Sequence, residues 1–230
     1  MHTTPTKIQT GMHRQLQLWR TTVAAQHQRL GWKTGFTLPA DQQRHNLPSA
    51  MVGFLSRERC YQSGDHYQAP PNAVLLVEPE VALQMGADVP AGASAEQARA
   101  AIAAYTAALE LVDTTRSVDD DIEAILAGNL FHEGVVLAPS QLPARNYRRE
   151  HLSISLRING HEVRTLEPAR VPDDFSSIIL TVANTLAAQG EQLQKDDWII
   201  TGAATQPAAV AVGDEIELDM GVLGKLVLGI

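Results

Sequence analysis

The feature that most constrains this chain is a pair of carboxylates, Glu78 and Glu80, inside an otherwise apolar run at residues 73–83. A strand sends residues i and i+2 to the same face, so these two side chains point together. Glu110 repeats the situation in a second apolar stretch, residues 109–112. Ionised carboxylates cannot be sealed side by side in a core unless a cation or hydrogen-bond donors balance them. Two readings stand. Either the strand lies at an edge and turns its glutamates to water, or the three carboxylates converge on a hard divalent ion that prefers oxygen ligands, Mg²⁺ or Mn²⁺.

The rest of the sequence reads as an α+β chain with a mainly antiparallel β core and peripheral helices. With 230 residues, 44% of them hydrophobic, the chain suits one globular domain over 31–230 preceded by a helical segment over 1–30. Helical periodicity runs over 12–30 and stops at Gly31, and 32–37 alternates like a strand. Residues 41–68 read as a long polar excursion with a short apolar interruption at 51–55. An Ala-rich helix is expected over 94–106, opened by a capping box of Ser94 and Gln97. A further helix is expected over 117–126, its acidic run capping the N-terminus. Strands follow at 134–137, 151–158 and 161–165, the last two joined by Asn159-Gly160, a strong hairpin signal. A helix over 175–189 stops at Gly190, before strands at 198–200, 215–218 and 225–228.

A net charge of −8 argues against a phosphate-backbone partner, because such binding needs clustered Lys and Arg to displace counterions. The arginines at 145–149 read as a solvated loop. Cys60 is the single cysteine, so no intrachain disulfide forms and a reducing, cytoplasmic setting is expected. No run approaches the ~18 apolar residues of a membrane span. The histidines lack zinc-helix spacing, and no glycine-rich phosphate loop or nucleophile elbow is present. His132, beside Phe131, reads as a structural residue.

Several segments, taken in order, resemble the 2-keto-4-pentenoate hydratases and related 4-oxalocrotonate decarboxylases of the fumarylacetoacetate hydrolase superfamily. Gly31-Trp32-Lys33-Thr34-Gly35-Phe36-Thr37 is similar to their Gly-x-Lys-x-Gly-x-Thr segment. Glu78-Pro79-Glu80-Val81-Ala82 resembles their Glu-x-Glu metal motif, and Ala108-Leu109-Glu110-Leu111-Val112-Asp113 their Ala-Leu-Glu segment. The resemblance implies that superfamily's β roll and places Mg²⁺ or Mn²⁺ on Glu78, Glu80 and Glu110. It implies a small 2-oxo acid substrate, with Lys33 shuttling a proton from a desolvated site between Trp32 and Phe36 or anchoring the substrate carboxylate. It places Gly202 and Thr205 near the substrate and gives Asp113 an orienting role. Homo-oligomers, and association with a related pathway enzyme, are implied as well.

The pattern also departs from the family. Met51 replaces an expected acid, Leu76 or Val77 an expected base, and Ala203 a serine. The glycine-rich approach to the late helix becomes residues 171–177, and Asp113 and Arg116 stand one residue further apart than usual. These readings favour hydration of a 2-hydroxydienoate or its 2-oxo tautomer. Decarboxylation of a 2-oxo diacid or hydrolysis of a carbon–carbon bond is the alternative, and a catalytically silent partner subunit the reading from a different class.

Overall fold

The computed structural model describes residues 6–115 and 121–230. Thr6 opens helix α1 (Lys7–Trp19) through a capping box with Gln9, which satisfies two otherwise orphaned backbone donors. The helix continues as a π-helical turn at Arg20–Ala24 and presents Met12, Leu16 and Trp19 to the core. It therefore begins and ends earlier than the periodicity over 12–30 suggests. His27 takes a left-handed backbone, and Arg29 and Leu30 already belong to the first strand.

That strand, β1 (Arg29–Gly35), is followed by a short helix α2 (Pro39–His45), β2 (Met51–Ser56) and β3 (Cys60–Tyr61). The middle of the chain is a long hairpin of β4 (Leu75–Met85) and β5 (Ile102–Asp113), with helix α3 (Ala95–Ala100) in its connection. Helix α4 (Ile122–Ala127) leads to β6 (His132–Leu137) and β7 (Leu142–Pro143). A hairpin of β8 (Ser155–Ile158) and β9 (His161–Thr165) turns at Asn159-Gly160, both with positive φ as the tight turn requires. Helix α5 (Ser176–Ala188) precedes β10 (Trp198–Ala203), β11 (Ala208–Val210), β12 (Glu215–Asp219) and β13 (Lys225–Gly229).

Nine strands form one sheet in the order β2-β1-β10-β4-β5-β6-β3, with β11 beside β4 and β7 beside β5. The order β13-β12-β8-β9 makes a second, four-stranded sheet. Pairing is antiparallel except for β1 with β10 and β3 with β6, which bears out the expected α+β class with a mainly antiparallel core. None of the described helices is long and apolar enough to cross a membrane.

Three expectations are corrected. The Ala-rich stretch is helical only to Ala100, and Ile102 to Thr106 extend β5. Alanine's helix preference amounts to only a few tenths of a kcal/mol per residue over its competitors, and here ladders to β4 and to β7 outweigh it. The excursion over 41–68 contains α2 and two strands. Residues 51–56 are buried throughout because β2 pairs along β1. Residues 149–151 form a 3₁₀ turn, so β8 starts only at Ser155. The acidic run lies outside the described residues except Asp121, whose carboxylate accepts from Glu123 N at 3.0 Å and caps α4.

Alternation along the central hairpin sorts its side chains. Val77, Val81, Leu83, Leu109 and Leu111 enter the main core. Glu78, Glu80 and Glu110 take the opposite face, where Ala82, Ala108, Val135 and Ile200 form a smaller apolar cluster. With β10 on one side and β5 on the other, β4 is a central strand, so the edge-strand reading of its glutamates fails. Pro79 falls just past the end of the ladder to β10, which closes at Glu80–Ala203, and before the ladder to β11, which opens at Val77–Ala208; a gap of that kind is where a strand tolerates a residue without a donor.

Candidate metal-binding active site

Cross-strand register sets Glu78 directly opposite Glu110, with Glu80 one pleat further along. One carboxylate oxygen from each of the three residues lies within 4.8 Å of the others. Glu80 and Glu110 are almost fully buried, whereas Glu78 is partly open to a cavity of about 500 Å³ that it helps to line.

Each buried carboxylate has one oxygen held by protein and one left over. Glu80 Oε2 accepts from Gly202 N at 2.7 Å, while its Oε1 has no partner. Glu110 Oε1 accepts from Lys33 Nζ and, at 2.7 Å, from His132 Nδ1, while its Oε2 has none. Buried acceptors are rarely left unsatisfied. Two such oxygens beside a third carboxylate are therefore the donor set a hard divalent cation takes, and the residues fit Mg²⁺.

The electrostatics point the same way. Burial, then the charge of Glu110, pushes the Glu78 carboxyl up to about 7. The same causes, with Glu78 added, hold Glu80 well above the usual range. Burial would raise Glu110 too, but the Lys33 ammonium and the His132 hydrogen bond outweigh it and leave that group lowered. Burial keeps His132 below its ordinary value, which favours the neutral ring. One anion is thus balanced by the chain itself, and two await a cation.

A pH dependence follows. With no divalent ion, Glu78 is protonated more readily in the folded than in the unfolded chain, so its contribution is fully present below pH 4.5. It is lost as pH rises through 7. The thermal midpoint measured in chelator is expected to fall between pH 5 and 8, and the increase produced by Mg²⁺ to grow over the same window. An Mg²⁺-induced increase that is equal at pH 5.5 and pH 8 would contradict this.

Lys33 extends from β1 with its side chain 3% exposed, bonded to Glu110 and, at 3.2 Å, to the carbonyl of Leu130. A Cβ at Gly53 would lie 2.8 Å from both Lys33 Cγ and Asn129 Oδ1, so the strand beside the lysine must carry glycine there. The expected sandwich between Trp32 and Phe36 is corrected. Phe36 lines the cavity with Lys33, but alternation sends Trp32 to the opposite face, where its ring packs at a tilt against Trp19 with centroids 5.1 Å apart and its Nε1 donates to Asp197 at 3.0 Å. Leu130 lies within Asn129-Leu130-Phe131, three consecutive residues with positive φ. That turn aims the Leu130 carbonyl at Lys33 and brings His132 onto Glu110.

Gly202 lines the cavity and donates to Glu80. Its φ of +96° and the 2.6 Å that would separate a Cβ from Thr37 Oγ1 explain the glycine. Thr205 is fully buried, donates to the carbonyl of Gln206 at 3.0 Å and does not line the cavity, whereas Gln206 itself does. Asp113 accepts from Thr115 and Val74 at the end of β5, the orienting role expected of it. Met51 is buried in β2 and Ala203 reaches the cavity wall. Sequence reasoning missed Asp41 on α2 and Arg170 in a 3₁₀ turn, both facing the cavity. No periodicity marks a loop arginine, but proline at the start of α2 with an acid in the same first turn was a signal for a helix carrying Asp41.

A triad of carboxylates fitted to a divalent cation beside a buried lysine, on the sheet face opposite the main core, defines a class of metal-dependent enzyme site. The chain belongs to the fumarylacetoacetate (FAA) hydrolase C-terminal family, whose model matches residues 22–230. It is 24% identical over 198 residues to a 4-oxalocrotonate decarboxylase of a Pseudomonas species, covering 86% of this chain and 77% of that protein. With the enzyme of that name from Pseudomonas putida it shares 23% over 207 residues, covering 86% and 75%. The 4-oxalocrotonate decarboxylase of Pseudomonas putida G7, solved with magnesium and adipate, superposes with a TM-score of 0.84 at 22% identity, over 94% of this chain and 82% of that one. The 2-hydroxyhepta-2,4-diene-1,7-dioate isomerase of Mycobacterium marinum superposes at 0.64 and 16% identity, over 87% and 75%. These structural likenesses establish a shared fold.

Proposed function

We propose that the chain is a divalent-metal-dependent decarboxylase of small unsaturated 2-oxo dicarboxylates. The observation that carries the reading is the triad of Glu78, Glu80 and Glu110, two of its buried oxygens unpartnered, beside Lys33 in a cavity sized for a small acid. The names of the curated relatives favour decarboxylation over hydration. So does Met51, since hydration needs an acid to position water and decarboxylation does not.

A divalent ion on the triad would supply a Lewis acid that draws electron density toward the substrate's 2-oxo group. The chain's own residues do the rest. Phe36, Leu130 and Phe131 line the cavity and limit the water around the reacting atoms. In a 2-oxo-3-enoate whose second carboxylate stands one carbon beyond the double bond, the C–C bond to that carboxylate breaks and CO₂ leaves. The electron pair shifts through the alkene to the 2-oxo oxygen, and Lys33 Nζ, held by Glu110 and Leu130, delivers the proton that makes it a hydroxyl.

Asp41 favours a second reading. Its carboxylate lines the cavity from α2 and offers a place to orient an attacking water, which hydration of a dienoate requires. Turnover of a 2-oxo-3-enedioate with Mg²⁺, followed by ultraviolet absorbance and CO₂ release, separates the two. CO₂ with a dienol chromophore is expected; loss of a supplied dienoate chromophore without CO₂ would establish the hydratase instead.

A further inference from the structure

The cavity carries a cation that the chemistry so far does not use. Arg170 ends a 3₁₀ turn (Pro168–Arg170) before α5, and its side chain is only 13% exposed. Its Nε donates to Glu167 Oε2 at 2.8 Å, and Glu167 Oε1 in turn accepts from the backbone N of Gln206 at 2.6 Å. Both oxygens of Glu167 are thereby engaged, and the two terminal nitrogens of Arg170 make no hydrogen bond to any described residue. A guanidinium oriented through Nε, with its other donors turned to a cavity, is the arrangement that receives a carboxylate. Arg44 also lines the cavity, but from the exposed side of α2.

We infer that Arg170 is the specificity-determining residue that binds the second carboxylate of the substrate and so selects 2-oxo dicarboxylates over monocarboxylates of equal length. The inference rests on the 2-oxo acid reading of the site and adds to it which residue reads the far end. Lys33 and the triad take the 2-oxo head, and Arg170 on the same cavity takes the tail. Because the tail carboxylate is the group lost as CO₂, its ion pair with Arg170 belongs to the ground state and weakens as the bond breaks. Removing it therefore raises KM without lowering kcat.

The test uses unreactive saturated probes. 2-Oxoadipate and 2-oxohexanoate share head and chain length and differ only in the distal carboxylate, and oxalate reports the head site alone. Calorimetric titration in Mg²⁺ is run on the wild-type chain, Arg170→Gln and Arg170→Lys. Arg170→Gln is expected to weaken 2-oxoadipate about 10- to 150-fold, the range for losing a hydrogen bond to a charged group. 2-Oxohexanoate and oxalate are expected to stay within about threefold of wild type, which also shows that the variant is folded. Arg170→Lys should recover part of the loss, since it keeps the charge without the fork.

Equal weakening of all three ligands would mean that Arg170 acts through Glu78 and would overturn the inference, as would a wild type that binds the two oxo acids equally. Wild type binding none of the three would overturn the 2-oxo acid reading itself, and this inference with it.

Discussion

Glu80→Gln is expected to raise the thermal midpoint measured in chelator while removing metal-dependent turnover. Glu80 is fully buried and its carboxyl is held well above the ordinary range, first by burial and then by the charges of Glu110 and Glu78. At neutral pH the unfolded chain carries Glu80 as a hydrated anion, and folding must either strip that charge of water or take up a proton, a cost that a neutral side chain does not bear. Glutamine keeps the shape and an oxygen for the Gly202 N–H, and its amide donates toward the neighbouring carboxylates. A gain of about 1 kcal/mol would move the midpoint by roughly 2–4 °C in a chain of this length. The same substitution removes a charged ligand, so Mg²⁺ affinity should fall by more than about 100-fold, the upper figure for losing a mere outer partner. Calorimetry with and without Mg²⁺, and a metal titration of activity, read both effects. A variant that is less stable in chelator, or that keeps its Mg²⁺ affinity, would refute the assignment.

Lys33→Met is expected to act in the opposite direction on stability. The ammonium is the nearest charge balancing Glu110, and both side chains are almost wholly enclosed. Removing one partner of such a pair leaves an uncompensated buried charge and costs about 3–5 kcal/mol, or roughly 10 °C in the midpoint. Part of that loss should return on adding Mg²⁺, because a cation on the triad restores the balance. Turnover per folded molecule should still fall about 10²- to 10⁴-fold, the usual contribution of a positioned proton donor. A destabilised variant with undiminished kcat would show that Lys33 serves only the fold.

The central hairpin was legible because alternation is a local property. Glu78 and Glu80 could be placed on one face from spacing alone, whereas Glu110 joined them only through the family resemblance, since cross-strand register is not written in spacing; the Ser94–Gln97 capping box was read correctly. The alanines after Ala100 were misread because their local preference is weak and their partners lie on other strands, in β4 and β7. Arg170 was invisible for a related reason: only the distant pairing of β10 and β11 with β4 brings Gln206 beside Glu167 and turns a surface-like Pro-Ala-Arg into part of a cavity wall. His132 was discounted as a lone histidine beside a phenylalanine. The left-handed turn that carries it to Glu110 is made of Asn129, Leu130 and Phe131, and such a backbone is seldom announced by leucine or phenylalanine.

The cross-strand pairing of Glu78 with Glu110 also bears on how the chain folds. All three carboxylates sit on one sequence-local hairpin, whereas Lys33 reaches Glu110 across 77 residues and its strand β1 pairs in parallel with the distant β10, from Gly31 with Trp198 to Lys33 with Ile200. Contacts close in sequence form before distant ones, and like charges directly opposite one another oppose pairing. The hairpin therefore gathers its negative charge before the lysine that balances it arrives. A divalent ion present during refolding would relieve that repulsion early, making the cation a participant in assembly as well as in the finished site.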